Sequence, residues 1–168
     1  MRLFIGIRPN EAIRSTLVKA QEDLAHLGIS GSFLLPGNLH MTLAFIGEHP
    51  DADSVLDAMD NAADSPFEIV LSSIGTFNNS ILWAGIEKNE TLEHLVRHLR
   101  YELAKADIPV DISKFVPHFT LVRKADLSNG VPSVDLPPFS MAVDQLSLYR
   151  SDRGKSGMIY TEIGTLEL

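Results

Sequence analysis

The chain repeats itself. LFIGIRPNEAI at 3–13 resembles LWAGIEKNETL at 82–92; each is an apolar run ending in Gly-Ile, then an Asn and a helix-forming stretch. LHMTLAFIG from Leu39 resembles PHFTLVRKA from Pro117, and FEIVLSSIGTF from Phe67 resembles FSMAVDQLSLY from Phe139. The offsets of 79, 78 and 72 residues come in the same order along the chain, and changes of loop length account for their drift. A strand–helix–strand–strand unit made twice sets equivalent residues facing each other across a pseudo-two-fold axis. The expected organisation is one domain over residues 1–168, made of two intertwined pseudo-symmetric lobes with repeat units of about 1–77 and 80–150. A chain of this length buries about 70% of its unfolded surface, so it needs neither staple nor metal to fold.

Hydrophobic periodicity fills in the units. Residues 2–7 (RLFIGI) are short, apolar and partly β-branched, and Pro9 stops them, which predicts a buried strand. Asn10 is placed to cap a helix running to about His26, with Ile13, Leu17, Ala20, Leu24 and Leu27 at helical spacing and Gly28 ending it. Further strands are expected at 39–46, 67–74, 81–86, 117–122, 139–149 and 158–166, with an Asn78–Asn79 turn between the second and third of these. Further helices are expected at 52–63 and about 90–106, the latter with Leu92, Leu95, Leu99 and Leu103 on one face. The run 126–138 (DLSNGVPSVDLPP) reads as an exposed connecting loop.

The polar residues that are duplicated matter most. They are His-x-Thr-Leu, at His40, Thr42 and Leu43 and again at His118, Thr120 and Leu121. Residues i and i+2 of a strand share a face, so each His projects with its Thr, while Met41 and Phe119 turn into apolar packing with Leu43 and Leu121. A single His on an apolar strand is usually a core side chain satisfied by a backbone carbonyl. Two in register, each with its Thr, point to a site, because structure alone gives no reason to aim two polar pairs at one cleft. Imidazoles titrate near 6.5, so at neutral pH one ring can take a proton from an attacking water while the other gives one to a departing alkoxide. Two Thr hydroxyls can donate to the non-bridging oxygens of a phosphate held between them. In-line displacement at phosphorus puts attacking and leaving oxygens on opposite sides, which suits groups related by a two-fold axis. Such chemistry requires no metal and no cofactor.

Composition narrows the setting. With no cysteine, the chain has no disulfide, thiolate nucleophile or Cys-type metal site. Fourteen Lys and Arg against 22 Asp and Glu leave a formal charge of −8, a poor basis for coating long nucleic acid but compatible with a small local site for a nucleic-acid end. No signal-peptide or membrane-helix pattern occurs, so a cytoplasmic protein without membrane association is expected.

Over essentially its whole length the sequence resembles the two-histidine (2H) phosphoesterases. Within them it is similar to the RNA 2′,3′-cyclic phosphodiesterases, also called 2′-5′ RNA ligases. RLFIGI at 2–7 matches the family's opening strand, PGNLHMTLAFIGE at 36–48 its first motif and PHFTLVRK at 117–124 its second. LYRSDRGKSGMIY at 148–160 resembles its closing hairpin. The resemblance implies an α+β bilobal fold, with two antiparallel sheets lining a central cleft and helices outside. It also implies hydrolysis of a terminal 2′,3′-cyclic phosphate to a 2′-phosphate. By motif, His40 is then the proton donor to the leaving 3′-oxygen, His118 the proton acceptor activating water, and Thr42 and Thr120 hold the phosphate. A pseudo-symmetric pair could work either way round, so this direction comes from the resemblance alone. Ligation of 2′-5′ ends would use an RNA 5′-hydroxyl in place of water. The implied partners are RNA ends carrying a 2′,3′-cyclic phosphate, such as tRNA halves. Where the family often carries Trp before the first motif, this chain has Phe33, and it ends in GTLEL without the family's frequent terminal aromatic.

Other candidates are secondary. Arg123, five residues after His118, could meet the phosphate or flank the cleft mouth. Arg150, Arg153 and Lys155 form the one dense basic cluster, able to grip RNA phosphates or to be a solvated turn. Tyr149 and Tyr160 flank the same hairpin and could stack on a base or simply pack. His94 and His98 have a chelating spacing but no third ligand, and with His26 and His49 they are assigned no role. A monomer is expected, since no exposed heptad or long apolar helix face stands out. Two rival functions remain open: a phosphodiesterase for another cyclic nucleotide or a 2′-5′ oligonucleotide, and a nucleotide-binding sensor that has kept its histidines.

Overall fold

The computed structural model describes all 168 residues. The elements in order are β1 (Arg2–Ile7), α1 (Glu11–His26), β2 (Ser32–Phe33), β3 (Met41–Glu48), α2 (Ala52–Ala62), β4 (Phe67–Phe77), β5 (Ile81–Ile86), α3 (Glu90–Lys105), β6 (His118–Arg123), β7 (Ser140–Val143), β8 (Gln145–Gly154) and β9 (Gly157–Glu167), with a 3₁₀ turn at Pro36–Asn38. They form the expected α+β fold. Two antiparallel sheets have the strand orders β3-β1-β8-β9 and β2-β6-β5-β4-β7.

The two sheets share a three-strand kernel, β3-β1-β8 in the first and β6-β5-β4 in the second. Each kernel is mixed in origin. β4 follows β1 and β3 in the chain yet pairs with β5 in the second sheet, whereas β8 follows β5 and β6 yet pairs with β1 in the first. The helices cross in the same sense. α1 leaves β1 but packs on β6 of the other sheet, and α3 leaves β5 but packs on β3. The buried Gln21 of α1 fastens one crossing by donating to the carbonyls of Leu34 and Leu121, both at 2.9 Å. One cluster of 36 buried hydrophobic residues runs through both sheets and all three helices. No helix is long and apolar enough to cross a membrane.

Local chemistry accounts for the element ends. Asn10 and Asn89 each accept from the N–H three residues on, Ile13 and Leu92, at 2.9 Å, satisfying an N-terminal donor of α1 and α3. Asn78 and Asn79 both have φ near +50°, and Ser80 N–H donates to the Phe77 carbonyl, the turn that joins β4 to β5.

Three sequence-based expectations need correction. The strand expected at 139–149 is broken at Asp144 into β7 and β8, which lie in different sheets, because the chain changes sheet there. The strand expected at 39–46 runs from 41 to 48, so His40 stands just ahead of it. The 126–138 stretch has no helix or strand, but it is not wholly exposed: Leu136 is buried in the core cluster.

Candidate active site

Both histidines are reached by the same local route. His40 lies just before β3 and His118 opens β6, the corresponding strands of the two kernels. His40 Nδ1 donates to the carbonyl of Asn38 at 2.7 Å, and His118 Nδ1 donates to that of Val116 at 2.6 Å. A carbonyl can only accept, so in each neutral ring Nδ1 carries the hydrogen and Nε2 keeps its lone pair. The residues between each His and its Thr turn inward as expected, with Met41, Leu43, Phe119 and Leu121 all buried.

Each ring rests on an aromatic pair. His40 lies 4.7 Å from Phe4, 6.3 Å from Tyr149 and edge-on to Tyr160 at 5.0 Å, between ring centroids. His118 lies edge-on to Phe77 at 5.0 Å and 5.7 Å from Trp83. Phe4 and Tyr149 stack at 5.0 Å, as Phe77 and Trp83 pack at 5.1 Å. These four residues are duplicates: Phe4 corresponds to Trp83 on the central strands and Phe77 to Tyr149 on the exchanged strands. Tyr149 is among the secondary candidates of the sequence, whereas Phe4, Phe77 and Trp83 were overlooked, although the repeat places each of these aromatics opposite another.

Burial has an electrostatic consequence. The aromatic surroundings desolvate His40 and push it down to about 4, with the Arg123 and His118 charges adding to the fall and the Asn38 carbonyl opposing it. Burial also lowers His118, again helped by Arg123 and opposed by the Val116 carbonyl. In the free site both rings are therefore neutral at pH 7. This replaces the simpler picture of one charged and one neutral ring, which assumed the pKa of an exposed imidazole. An anion between the rings would restore protonation, since a negative neighbour favours imidazolium.

The two halves differ where the cleft opens. His40 Nε2 meets Thr42 Oγ1 at 2.9 Å, the hydroxyl donating to the ring. Thr120 is buried and makes no side-chain hydrogen bond. A cavity of about 480 Å³ opens beside His40 and Thr42, bounded also by Phe4, Arg123, Arg153 and Tyr160. A neighbouring one of about 320 Å³ holds Phe33 and shares Arg123, Met158 and Tyr160 with it. The structure thus brings His40, Thr42, Arg123, Arg153 and Tyr160 to one cavity and sets Phe33 in the next. Arg150 borders neither: it is turned to Asp152, with Nε 2.8 Å from a carboxylate oxygen. His94 and His98 pack with ring centroids 5.7 Å apart on α3, and no third metal-ligating side chain joins them. Sequence reasoning also missed Arg2 and Ser151, which line the larger cavity.

A family profile described as the 2′-5′ RNA ligase superfamily matches residues 29–155. The RNA 2′,3′-cyclic phosphodiesterase of Thermotoga maritima is 28% identical over 95% of this chain and 91% of its own. That of Methanothermobacter thermautotrophicus is 29% identical over 100% of this chain and 99% of its own. The crystal structure of Escherichia coli LigT complexed with 3′-AMP superposes with a TM-score of 0.84 at 26% identity, covering 99% of this chain and 96% of that one.

Proposed function

Since the chain belongs to the 2′-5′ RNA ligase superfamily, we propose that it hydrolyses the 2′,3′-cyclic phosphate at an RNA end to a 2′-phosphate, by two-histidine acid–base catalysis without a metal. The observation that carries this reading is the pair of imidazoles in matched anchors, each with Nδ1 fixed on a carbonyl so that Nε2 keeps its lone pair. Both are close enough to Arg123 to feel its charge, although His118 and Thr120 do not themselves line the cavity beside His40. The curated relatives and the nucleotide bound to LigT support the substrate class.

In the proposed sequence the anionic cyclic phosphate enters beside Arg123 and raises the proton affinity of His40, which takes a proton from solvent at Nε2 while His118 stays neutral. Thr42 turns its hydroxyl from His40 to a non-bridging oxygen, and Thr120, whose hydroxyl has no partner in the free site, donates to the other. His118 accepts a proton from water as the water oxygen bonds to phosphorus. The P–O3′ bond breaks, and His40 gives its proton to O3′. The cavity favours this direction over its mirror image. The leaving oxygen stays attached to the nucleoside, which needs room, and the cavity of about 480 Å³ opens on the His40 side. Water needs no such space. With an RNA 5′-hydroxyl in place of water, the same groups would support 2′-5′ ligation.

The test is an oligonucleotide ending in a 2′,3′-cyclic phosphate, incubated in excess EDTA, with the product compared with 2′- and 3′-phosphate standards. The expected product is the 2′-phosphate, with turnover reduced roughly 10²–10⁴-fold in His40→Ala and in His118→Ala. A 3′-phosphate product would keep the chemistry but mean that O2′ leaves in place of O3′. Near-normal activity of either variant would overturn the mechanism.

A further inference from the structure

The cavity beside His40 continues past the aromatic wall to the far end of β1, where Arg2, Ser151 and Arg153 line it. Arg2 and Ser151 are cross-strand partners on β1 and β8, and so are Phe4 and Tyr149, the rung that carries His40. Two residues of a strand span about 7 Å, so the Arg2–Ser151 rung stands that far along the cleft from the catalytic ring.

Charge pairing at this end is lopsided. Of the two carboxylates lining the cavity, Asp152 is taken by Arg150 at 2.8 Å and Glu48 by the Met1 ammonium at 3.2 Å. Arg2 and Arg153 take part in none of the ion pairs of the molecule. Arg2 lies instead over the face of Phe45, its Cζ 4.8 Å from the ring centroid, which holds the guanidinium at the cavity. In a chain of net charge −8, two cations without carboxylate partners at one end of a catalytic cavity make a local attraction for an anion. The duplication does not dictate this feature. Arg2 corresponds to Ile81, and β4 turns back at Asn78–Asn79 where β8 runs on to Gly154. The extension exists on the His40 side alone, the side on which the nucleoside is proposed to lie.

We propose that Arg2 and Arg153, with the Ser151 hydroxyl, form a second phosphate subsite that takes the 5′-phosphate group of the terminal nucleotide. The inference rests on the reading of the histidine site as a cyclic phosphodiesterase and specifies its substrate. A nucleotide at an RNA end carries a 5′-phosphodiester as well as its cyclic phosphate, and the ribose separates the two. The subsite therefore selects RNA ends over free nucleoside 2′,3′-cyclic phosphates, which lack the 5′ group.

Adenosine 2′,3′-cyclic phosphate with and without a 5′-phosphate isolates the contribution. For the wild-type protein kcat/KM is expected to be about tenfold or more higher with the 5′-phosphate present, a preference that shrinks as salt is raised. In Arg2→Gln and in Arg153→Gln the ratio of the two kcat/KM values falls, by about tenfold in the double variant. Equal kcat/KM for the two substrates in the wild type overturns the subsite and leaves the cyclic phosphodiesterase reading standing. A ratio unmoved by the double substitution does the same. Turnover of neither substrate overturns both.

Discussion

His40 and His118 share an anchor but not an environment. Each donates Nδ1–H to the carbonyl two residues before it, yet only His40 has a hydroxyl on Nε2 and a cavity beside it. Burial in the aromatic wall lowers His40 from 6.5 to about 4. That shift also bears on stability. Between these two values the unfolded chain holds a proton on this residue and the folded chain does not, so stability rises with pH through the window. His40's contribution is complete above about 6.5, is lost progressively as pH falls, and levels off near 4. Urea midpoints measured from pH 7 to pH 4 should therefore fall more steeply for the wild type than for His40→Gln. Equal slopes would mean that the ring is not desolvated as the geometry requires.

At the scale of elements, α1 and α3 are built to one plan at both ends. Asn10 and Asn89 cap them, and each ends in a residue of positive φ, Gly28 at +92° and Asp107 at +57°. In both, the next residue donates back across the turn, Ile29 to Leu24 at 3.0 Å and Ile108 to Leu103 at 2.9 Å. A left-handed conformation costs a residue with a Cβ about 1–2 kcal/mol and glycine almost nothing, though glycine's freer unfolded chain takes part of that back. Asp107→Gly is accordingly expected to stabilise the protein by about 0.5–1 kcal/mol, read from urea unfolding, with turnover unaffected since Asp107 lines neither cavity of the site. A destabilised variant would mean that the Asp107 side chain does more at this turn than its conformation suggests.

Across the whole molecule, the exchange of β4 and β8 leaves neither repeat with a complete sheet of its own. The core cluster likewise runs through both. We propose that residues 1–168 fold as one cooperative unit and that the duplicated halves are not separately stable. Trp83, the chain's one tryptophan, sits in the second sheet, so its fluorescence follows that sheet while far-UV circular dichroism follows both. The two signals should give the same urea midpoint and a single transition. Separated midpoints would show two units unfolding independently.

Much of this was legible in the chain because the relevant physics is local or duplicated. The His-x-Thr spacing puts two polar groups on one strand face whatever surrounds it, Asn10 caps by reaching three residues, and the repeat itself announces two equivalent halves. The α+β class was an implication of the family resemblance that those motifs carry. The β4–β5 pairing was announced by the Asn78–Asn79 turn, but the passage of β8 into the first sheet was not, because its pairing with β1 depends on which sheet the strand meets and not on its own pattern. Nor was the break at Asp144, where one apolar run serves two sheets. The lowered histidines, the unpaired Arg2 and the turning away of Arg150 toward Asp152 are likewise tertiary outcomes. Sequence determines which groups are present and which face they share, whereas desolvation and charge pairing depend on neighbours far apart in the chain, which only the folded molecule brings within reach.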